Sequence, residues 1–380
     1  MIELNIFLKA LKNENVNFVT GVPDSLLKDI CGFMSDNLPP EQHIIATNEG
    51  SAIGLAIGNY LATKFVPLVY LQNSGLGNII NPLVSLADPS VYGIPMLLMI
   101  GWRGEINENK QINDEPQHKK QGKITLDQLE LLNIPYVILN KDSQNINQII
   151  NKCVRSSRSR QGPVAIVVKK NSFQKYKNFY SKSKKQIDLP SRKKVLEIIV
   201  KNIPRSFPIV STTGVASREL YEIRTELGIK DQSDFLTIGG MGHASQIASG
   251  IAIANIKRKI FCIDGDGSAL MHMGAFAINS EQNNLIHILI NNGVHDSVGA
   301  QPTQGQKLNF SEIAKVFGYK YSYKVKNIDE VSKLLNKIIN NDFKYQTIYL
   351  PMEYSIKINS QTKSWHGYIW WNSMFKIGRQ

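Results

Sequence analysis

The chain has 380 residues, 42% of them hydrophobic and 20% charged, with 27 glycines and 15 prolines. This composition excludes disordered, collagen-like and coiled-coil chains, and the length predicts two cores rather than one. The formal net charge of +13 points toward nucleic acid only until its distribution is read. Ten Lys/Arg against Asp188 alone fall between Lys169 and Lys194, the pattern of a solvated basic linker rather than a cationic folded face.

Apolar runs such as Ile94–Ile100 are far short of the ~20 residues that span a bilayer. Glu3, Lys9 and Lys12 interrupt the first apolar stretch, unlike a signal peptide. Cys31, Cys153 and Cys262 are too few and too scattered for a disulfide framework or a zinc pattern. A cytoplasmic protein with neither a nucleic-acid nor a membrane partner is expected.

In chain order, strands are predicted at Val16–Val22, His43–Thr47, Val66–Gln72, Pro95–Gly101, Pro135–Asn140 and Pro163–Lys169. Helices are predicted between them at Ser25–Ser35, Glu49–Thr63, Thr125–Leu132 and Ser143–Arg158. Most of the strands are apolar on both faces, as strands covered by helices on both sides are. Past the linker the alternation restarts, with strands at Ile209–Thr213, Phe235–Ile238, Ile260–Asp264, Ile286–Asn291 and Thr347–Pro351. The helices there are predicted at Val195–Asn202, Ser217–Leu227, Ser245–Asn255, Gly274–Asn283 and Ile328–Asn340. The fold class is therefore α/β, with two doubly wound parallel sheets whose ligands sit beyond the C-terminal strand ends. Trp365, Trp370 and Trp371, three of the four tryptophans, fall in a tail expected to pack on a surface.

The unusual residues fall just after these strands. Ile260–Asp264 runs into Gly265-Asp266-Gly267-Ser268, a tight turn where backbone N–H groups approach a phosphate and Asp266 can face a divalent cation. The next strand ends in Asn291-Asn292-Gly293. Gly240-Met241-Gly242-His243-Ala244-Ser245 nearly matches a dinucleotide turn, but its third small residue is Ser, and Asp264, at about the interval of a ribose-holding acid, opens the Gly-Asp-Gly turn instead. In the first half, Thr47-Asn48-Glu49-Gly50 joins a strand to a long helix, where Thr47 or Asn48 caps and Glu49 complements the helix dipole.

The pairing of Gly-Asp-Gly-Ser with Asn-Asn resembles the thiamine-diphosphate motif. Gly21-Val22-Pro23-Asp24-Ser25, Gly101-Trp102-Arg103-Gly104-Glu105, Asp114–Gly122, Ser211-Thr212-Thr213-Gly214 and Asn291–Ser297 carry the resemblance further. Together they are similar to the phosphonopyruvate decarboxylase family, with sulfopyruvate decarboxylases next, over residues 1–355. The resemblance implies a pyrimidine-binding domain over 1–168, a basic linker over 169–194, a diphosphate-binding domain over 195–360, an aromatic tail over 361–380, and no central third domain. It implies thiamine diphosphate and Mg²⁺, the metal held by Asp266, Asn292 and the carbonyl of Val294. Thr213, Gly214, Gly240, Met241, Gly242, Gly265, Gly267 and Ser268 would surround the cofactor, with Met241 wedged beneath it.

Glu49 stands where the family keeps the glutamate that shares a proton with the aminopyrimidine. The implied reaction is decarboxylation of 3-phosphonopyruvate, or of sulfopyruvate, in a homo-oligomer of at least two subunits with inter-subunit sites. His118 and His295, read as residues of polar loops, are the candidate proton carriers. Ser25, Asn73, Arg103 and Lys120 are the candidate substrate residues, because a phosphonate calls for cations and hydrogen-bond donors, and Asp296 is expected to orient such groups rather than touch the dianion.

Overall fold

A computed structural model describes residues 1–108, 110–177, 190–229, 234–325 and 327–340, and the backbone of 346–351. Residues 178–189 of the expected linker and the whole expected tail lie outside the described residues. The chain divides into two compact units, Met1–Ser183 with Val298–Pro302, and Lys184–Ser297 with Thr303–Gln380.

The first unit is built on six strands: β1 (Val19–Gly21), β2 (His43–Ile45), β3 (Leu68–Gln72), β4 (Met96–Gly101), β5 (Tyr136–Leu139) and β6 (Pro163–Val168). They pair in the order β2-β1-β3-β4-β6-β5, every pair parallel. Alternate residues serve opposite cores. Leu68, Tyr70, Leu97, Met99, Val164 and Ile166 pack on one face, while Val69, Leu71, Met96, Leu98, Ala165 and Val167 pack on the other. That is period-two alternation with both faces apolar, the condition for helices on each side.

The second unit repeats the plan with β7 (Ile209–Ser211), β8 (Phe235–Leu236), β9 (Ile260–Gly265), β10 (Leu285–Asn291), β11 (Ser322–Lys324) and β12 (Gln346–Pro351). Their order, β8-β7-β9-β10-β12-β11, is the same, and the pairs are again parallel. Each sheet reverses direction between its first and third strands in chain order. A ligand crevice belongs at that reversal, beyond the C-terminal strand ends.

All eleven expected strands are present; β11, an edge strand of three residues, is additional. Two expectations change. Lys169–Lys177 is folded onto the first unit rather than solvated: Phe173 stacks edge-on against Phe7 at 5.1 Å, and Tyr176 donates its N–H to Asp29 and its hydroxyl to Asp36. At the other end the helix Arg192–Asn202 starts inside the expected linker, capped by Ser191. The helix expected from Thr125 begins at Pro116, because a proline at the first helical position has the right φ and no N–H to lose. No helix among the described residues is long and apolar enough to cross a membrane.

Candidate active site

In the second unit the crevice lies between the loops after β7 and β9. Asp266 follows β9 directly and is 2% exposed. Its carboxylate accepts the Thr303 hydroxyl and backbone N–H groups of Asn292, Gly267 and its own residue, all of which favour the anion. Burial outweighs them and lifts its pKa to about 6. Asn291 donates to the Gly305 carbonyl at 2.8 Å, and the Asn291 and Asn292 side chains accept N–H groups of Gly293 and Val294. Gly305 packs so closely that a Cβ there would fall 2.7 Å from that of Asp266.

Ser268 ties three loops together. Its hydroxyl accepts from Thr212 at 2.9 Å and from the Gly242 N–H at 3.1 Å. Gly242 has φ +90°, and a Cβ there would lie 2.6 Å from the His272 ring, so only glycine fits. Gly267 faces the Met241 methyl and the His295 ring, each 3.2–3.4 Å from where its Cβ would be. Beside Gly265 there is open space, with nothing within 4 Å of a Cβ, and the neighbours of Gly214 and Gly240 stand 3.5 Å or more away. This is a cradle of backbone beside one buried carboxylate, and it fits a diphosphate with a divalent cation.

In the first unit Asn48 caps the Glu49–Thr63 helix, accepting the Ser51 N–H at 2.8 Å. Glu49 turns inward instead of toward solvent. It is buried, and burial raises its pKa against the single side-chain donor, Asn78, at 2.7 Å. A Cβ on Gly75 would come 2.6 Å from Glu49 Oε1. The same turn carries Asn73, whose amide donates to the Arg103 carbonyl and the Thr125 hydroxyl, both at 2.9 Å, and accepts the Arg103 N–H. Asn73 is thus occupied by the fold.

Both family models for thiamine enzymes match. The thiamine pyrophosphate enzyme N-terminal TPP binding domain covers residues 4–131, and the C-terminal TPP binding domain covers residues 215–345. The chain is 31% identical to a phosphonopyruvate decarboxylase of Streptomyces viridochromogenes, over 88% of this chain and 84% of that one. It is 30% identical to the phosphonopyruvate decarboxylase of Streptomyces hygroscopicus, over 90% and 86%. The chain belongs to the phosphonopyruvate decarboxylase family of thiamine pyrophosphate enzymes. The sulfopyruvate decarboxylase alpha subunit of Methanococcus maripaludis is also similar, at 36% identity over 42% of this chain and 90% of that one.

As a member of this family the chain places several expected residues differently. The Arg103 fork is engaged by Asp114, with Nε to Oδ2 at 2.8 Å and Nη2 to Oδ1 at 2.5 Å, while Nη1 donates to Ser25. The pair holds Asp114 down at about 2 despite partial burial. Asp296 is bound by Arg192 at 2.8 Å, in a network with Glu219. Lys120 is exposed on the Pro116–Leu131 helix. His118 lies in the first turn of that helix, not in a loop, buried with Nε2 3.6 Å from Glu115 and Nδ1 without a partner among the described residues. His295 is buried at the end of a two-residue strand, and burial holds it at about 4, neutral near pH 7.

Thr213 and Gly214 border the crevice, but the hydroxyl that reaches Ser268 belongs to Thr212. Thr303 and Gly305, both against Asp266, escape sequence reasoning because they lie 37 and 39 residues downstream, at the start of a short 3-10 helix, Gln304–Lys307, that Thr303 caps. His43 and His287 are structural. His43 bonds Tyr70 and Ser35, and His287 bonds Tyr319 and lies 3.5 Å from Asp264.

Proposed function

We propose that this chain decarboxylates 3-phosphonopyruvate to phosphonoacetaldehyde and CO₂, using thiamine diphosphate and Mg²⁺, as a cytoplasmic step of phosphonate biosynthesis. The observation that carries the reading is the pair of buried carboxyls with raised pKa, one at each sheet's C-terminal edge, in a chain with both thiamine domains. Thiamine diphosphate, when bound, supplies the nucleophilic carbon and the electron sink that 2-oxo acid decarboxylation needs. Asp266, Asn292 and the Val294 carbonyl would hold the metal, and the glycine loops at 214, 240–242 and 265–267 would give the diphosphate its N–H donors. Met241 would support the rings.

Glu49 would hold a proton against an aminopyrimidine nitrogen, a task suited to a carboxyl whose burial keeps it from ionising early. As C1–C2 breaks, its electron pair stays on C2 and one proton must reach that carbon. His295, neutral near pH 7, and His118, with a free buried Nδ1, are the residues proposed to move it. Sulfopyruvate is the second reading, favoured by the identity to a sulfopyruvate decarboxylase subunit. Purified protein given thiamine diphosphate and Mg²⁺ should release CO₂ from phosphonopyruvate faster than from sulfopyruvate. The reverse preference moves the chain to the second reading, and no release from either overturns both.

We also infer a dimer or larger assembly in which Glu49 of one subunit serves the Asp266 crevice of another. The Glu49–Thr63 helix supports this. Leu55 and Leu61 are exposed, and the surface beside Gly54 and Gly58 is open, leaving an apolar face suited to a second copy. Glu49→Gln and Asp266→Ala subunits, each inactive alone, should regain activity when mixed, because a mixed dimer rebuilds one intact site. Mixed dimers that stay inactive would place both residues of a site on one chain.

A further inference from the structure

A pocket of about 230 Å³ lies in the first unit beyond the ends of β1, β4 and β6. Ser25 and Lys28 line it from the loop after β1 and the helix that follows, Arg103 from the loop after β4, and Lys170, Asn171 and Lys175 from the segment after β6. Its carboxylates are already committed. Asp114 holds both arms of the Arg103 fork, and Asp29 accepts the Tyr176 N–H and faces Lys175 at 3.4 Å. Lys28 and Lys170 are the cations left without a side-chain partner among the described residues. With four cations against two carboxylates the lining carries an excess of two positive charges. Ser25 accepts from Arg103 and keeps its own O–H to donate.

This arrangement reverses the expectation drawn from the sequence. Arg103 cannot offer its fork to a ligand while Asp114 occupies it. It acts instead as a rigid wall that orients the Ser25 hydroxyl and adds charge. The mobile ammonium groups of Lys28 and Lys170 are what remains to meet an anion. The pocket also stands close to the Glu49 neighbourhood: Asn73, which binds the Arg103 backbone, shares one three-residue turn with Gly75, which touches Glu49.

We propose that this pocket receives the tetrahedral anionic group on C3 of the substrate, and that Lys28 and Lys170 determine the preference for a phosphonate dianion. The proposal rests on the decarboxylase reading given above. Two unpaired ammonium groups and a hydroxyl donor match a group of charge −2 better than a sulfonate of charge −1.

Steady-state kinetics of the full-length holoenzyme test it. Lys28→Ala and Lys170→Ala should each raise KM for phosphonopyruvate about tenfold, the loss of one charge-assisted hydrogen bond, with kcat changing far less. Methylphosphonate should inhibit competitively, bind more tightly than methanesulfonate, and lose affinity by the same factor in both variants. Lys170→Arg should keep most of the affinity, which a merely structural role for Lys170 does not require. Unchanged KM in both alanine variants overturns the proposal, as does non-competitive inhibition by methylphosphonate, which would mark an independent anion site. Calorimetry with methylphosphonate separates this failure from failure of the decarboxylase reading. A wild-type protein that binds methylphosphonate through Lys170 but releases no CO₂ from phosphonopyruvate keeps the pocket and loses the reading.

Discussion

The loop after the second strand of the first sheet delivers Glu49, whereas the corresponding loop of the second sheet delivers Gly240-Met241-Gly242. After the third strand the contrast is inverted: the first sheet has the small turn Asn73–Gly75, and the second has Asp266. Each edge therefore carries one buried carboxyl whose pKa burial raises, yet their surroundings differ. Glu49 has the Asn78 amide and its own backbone N–H as donors, whereas Asp266 receives the Thr303 hydroxyl and three backbone N–H groups. Donors favour the ionised form and burial favours the protonated one. Under the proposed function one strand order supports a proton holder on one edge and a cation ligand on the other, and the hydrogen-bond donors around each carboxyl suit it to its part.

Removing each carboxyl in turn puts that division of labour at greatest risk. Glu49→Gln should cut turnover by roughly 10²–10⁴, the usual worth of a positioned acid or base, while thiamine diphosphate still binds. Asp266→Ala should instead abolish binding of cofactor and Mg²⁺. A fluorescence titration with cofactor, run beside the CO₂ assay, reads both. Near-normal activity in Glu49→Gln would remove the proton-holding role.

A finer pair uses glycines. In Gly305→Ala the new methyl meets Asp266 near its backbone, where neither side can yield, so cofactor affinity should fall at least tenfold and stability by about 1–3 kcal/mol. In Gly75→Ala the methyl meets the Oε1 end of Glu49. Cγ and Cδ of Glu49 stand within 2.9 Å as well, so the side chain must turn aside beyond its Cβ, and kcat should fall several-fold or more with cofactor retained. Equal loss of cofactor binding in the two variants would mean that the edges do not divide the work.

The pH dependence of stability has a source in each unit, His43 in the first and His295 in the second, both held at about 4 by burial. Burial lowers His43 from 6.5 to about 4, so in the folded protein it is neutral where the unfolded chain takes up a proton. Its contribution is complete above pH 6.5 and is lost as pH falls toward 4, by roughly 3 kcal/mol in all. Urea midpoints measured at pH 7, 5.5 and 4 should show this decline, and His43→Gln should make it shallower, leaving the part carried by His295.

The strands and the Gly265–Ser268 turn were legible for one physical reason: local patterns carry them. Runs such as Leu68–Gln72 and Leu285–Asn291 are apolar on both faces, and Gly-Asp-Gly-Ser is a contiguous turn. The Leu4–Asn13 helix, which is not among the expected elements, was readable too, from Leu4, Phe7, Leu8 and Leu11 buried at helical spacing. What stayed hidden depends on long-range pairing. Nothing near Arg103 in sequence says that Asp114 will fill its fork, or that Arg192, 104 residues away, will bind Asp296. Thr303 reaches Asp266 across 37 residues. Charge type was therefore predictable, and charge availability was not.

The smallest effect expected concerns the helix that carries Glu49. Asn48 has extended backbone angles and accepts the Ser51 N–H at 2.8 Å, so Asn48→Ala should cost about 1 kcal/mol. Ser191 plays the same part at the first helix of the second unit, but over a longer bond of 3.4 Å to the Lys194 N–H. Ser191→Ala should therefore cost less. Because Asn48 directly precedes Glu49, its loss should also loosen that carboxyl and, under the proposed function, lower kcat measurably, whereas Ser191→Ala should shift only the melting temperature. A kcat change of equal size in both variants would show that the cap acts through general stability and not through the carboxyl beside it.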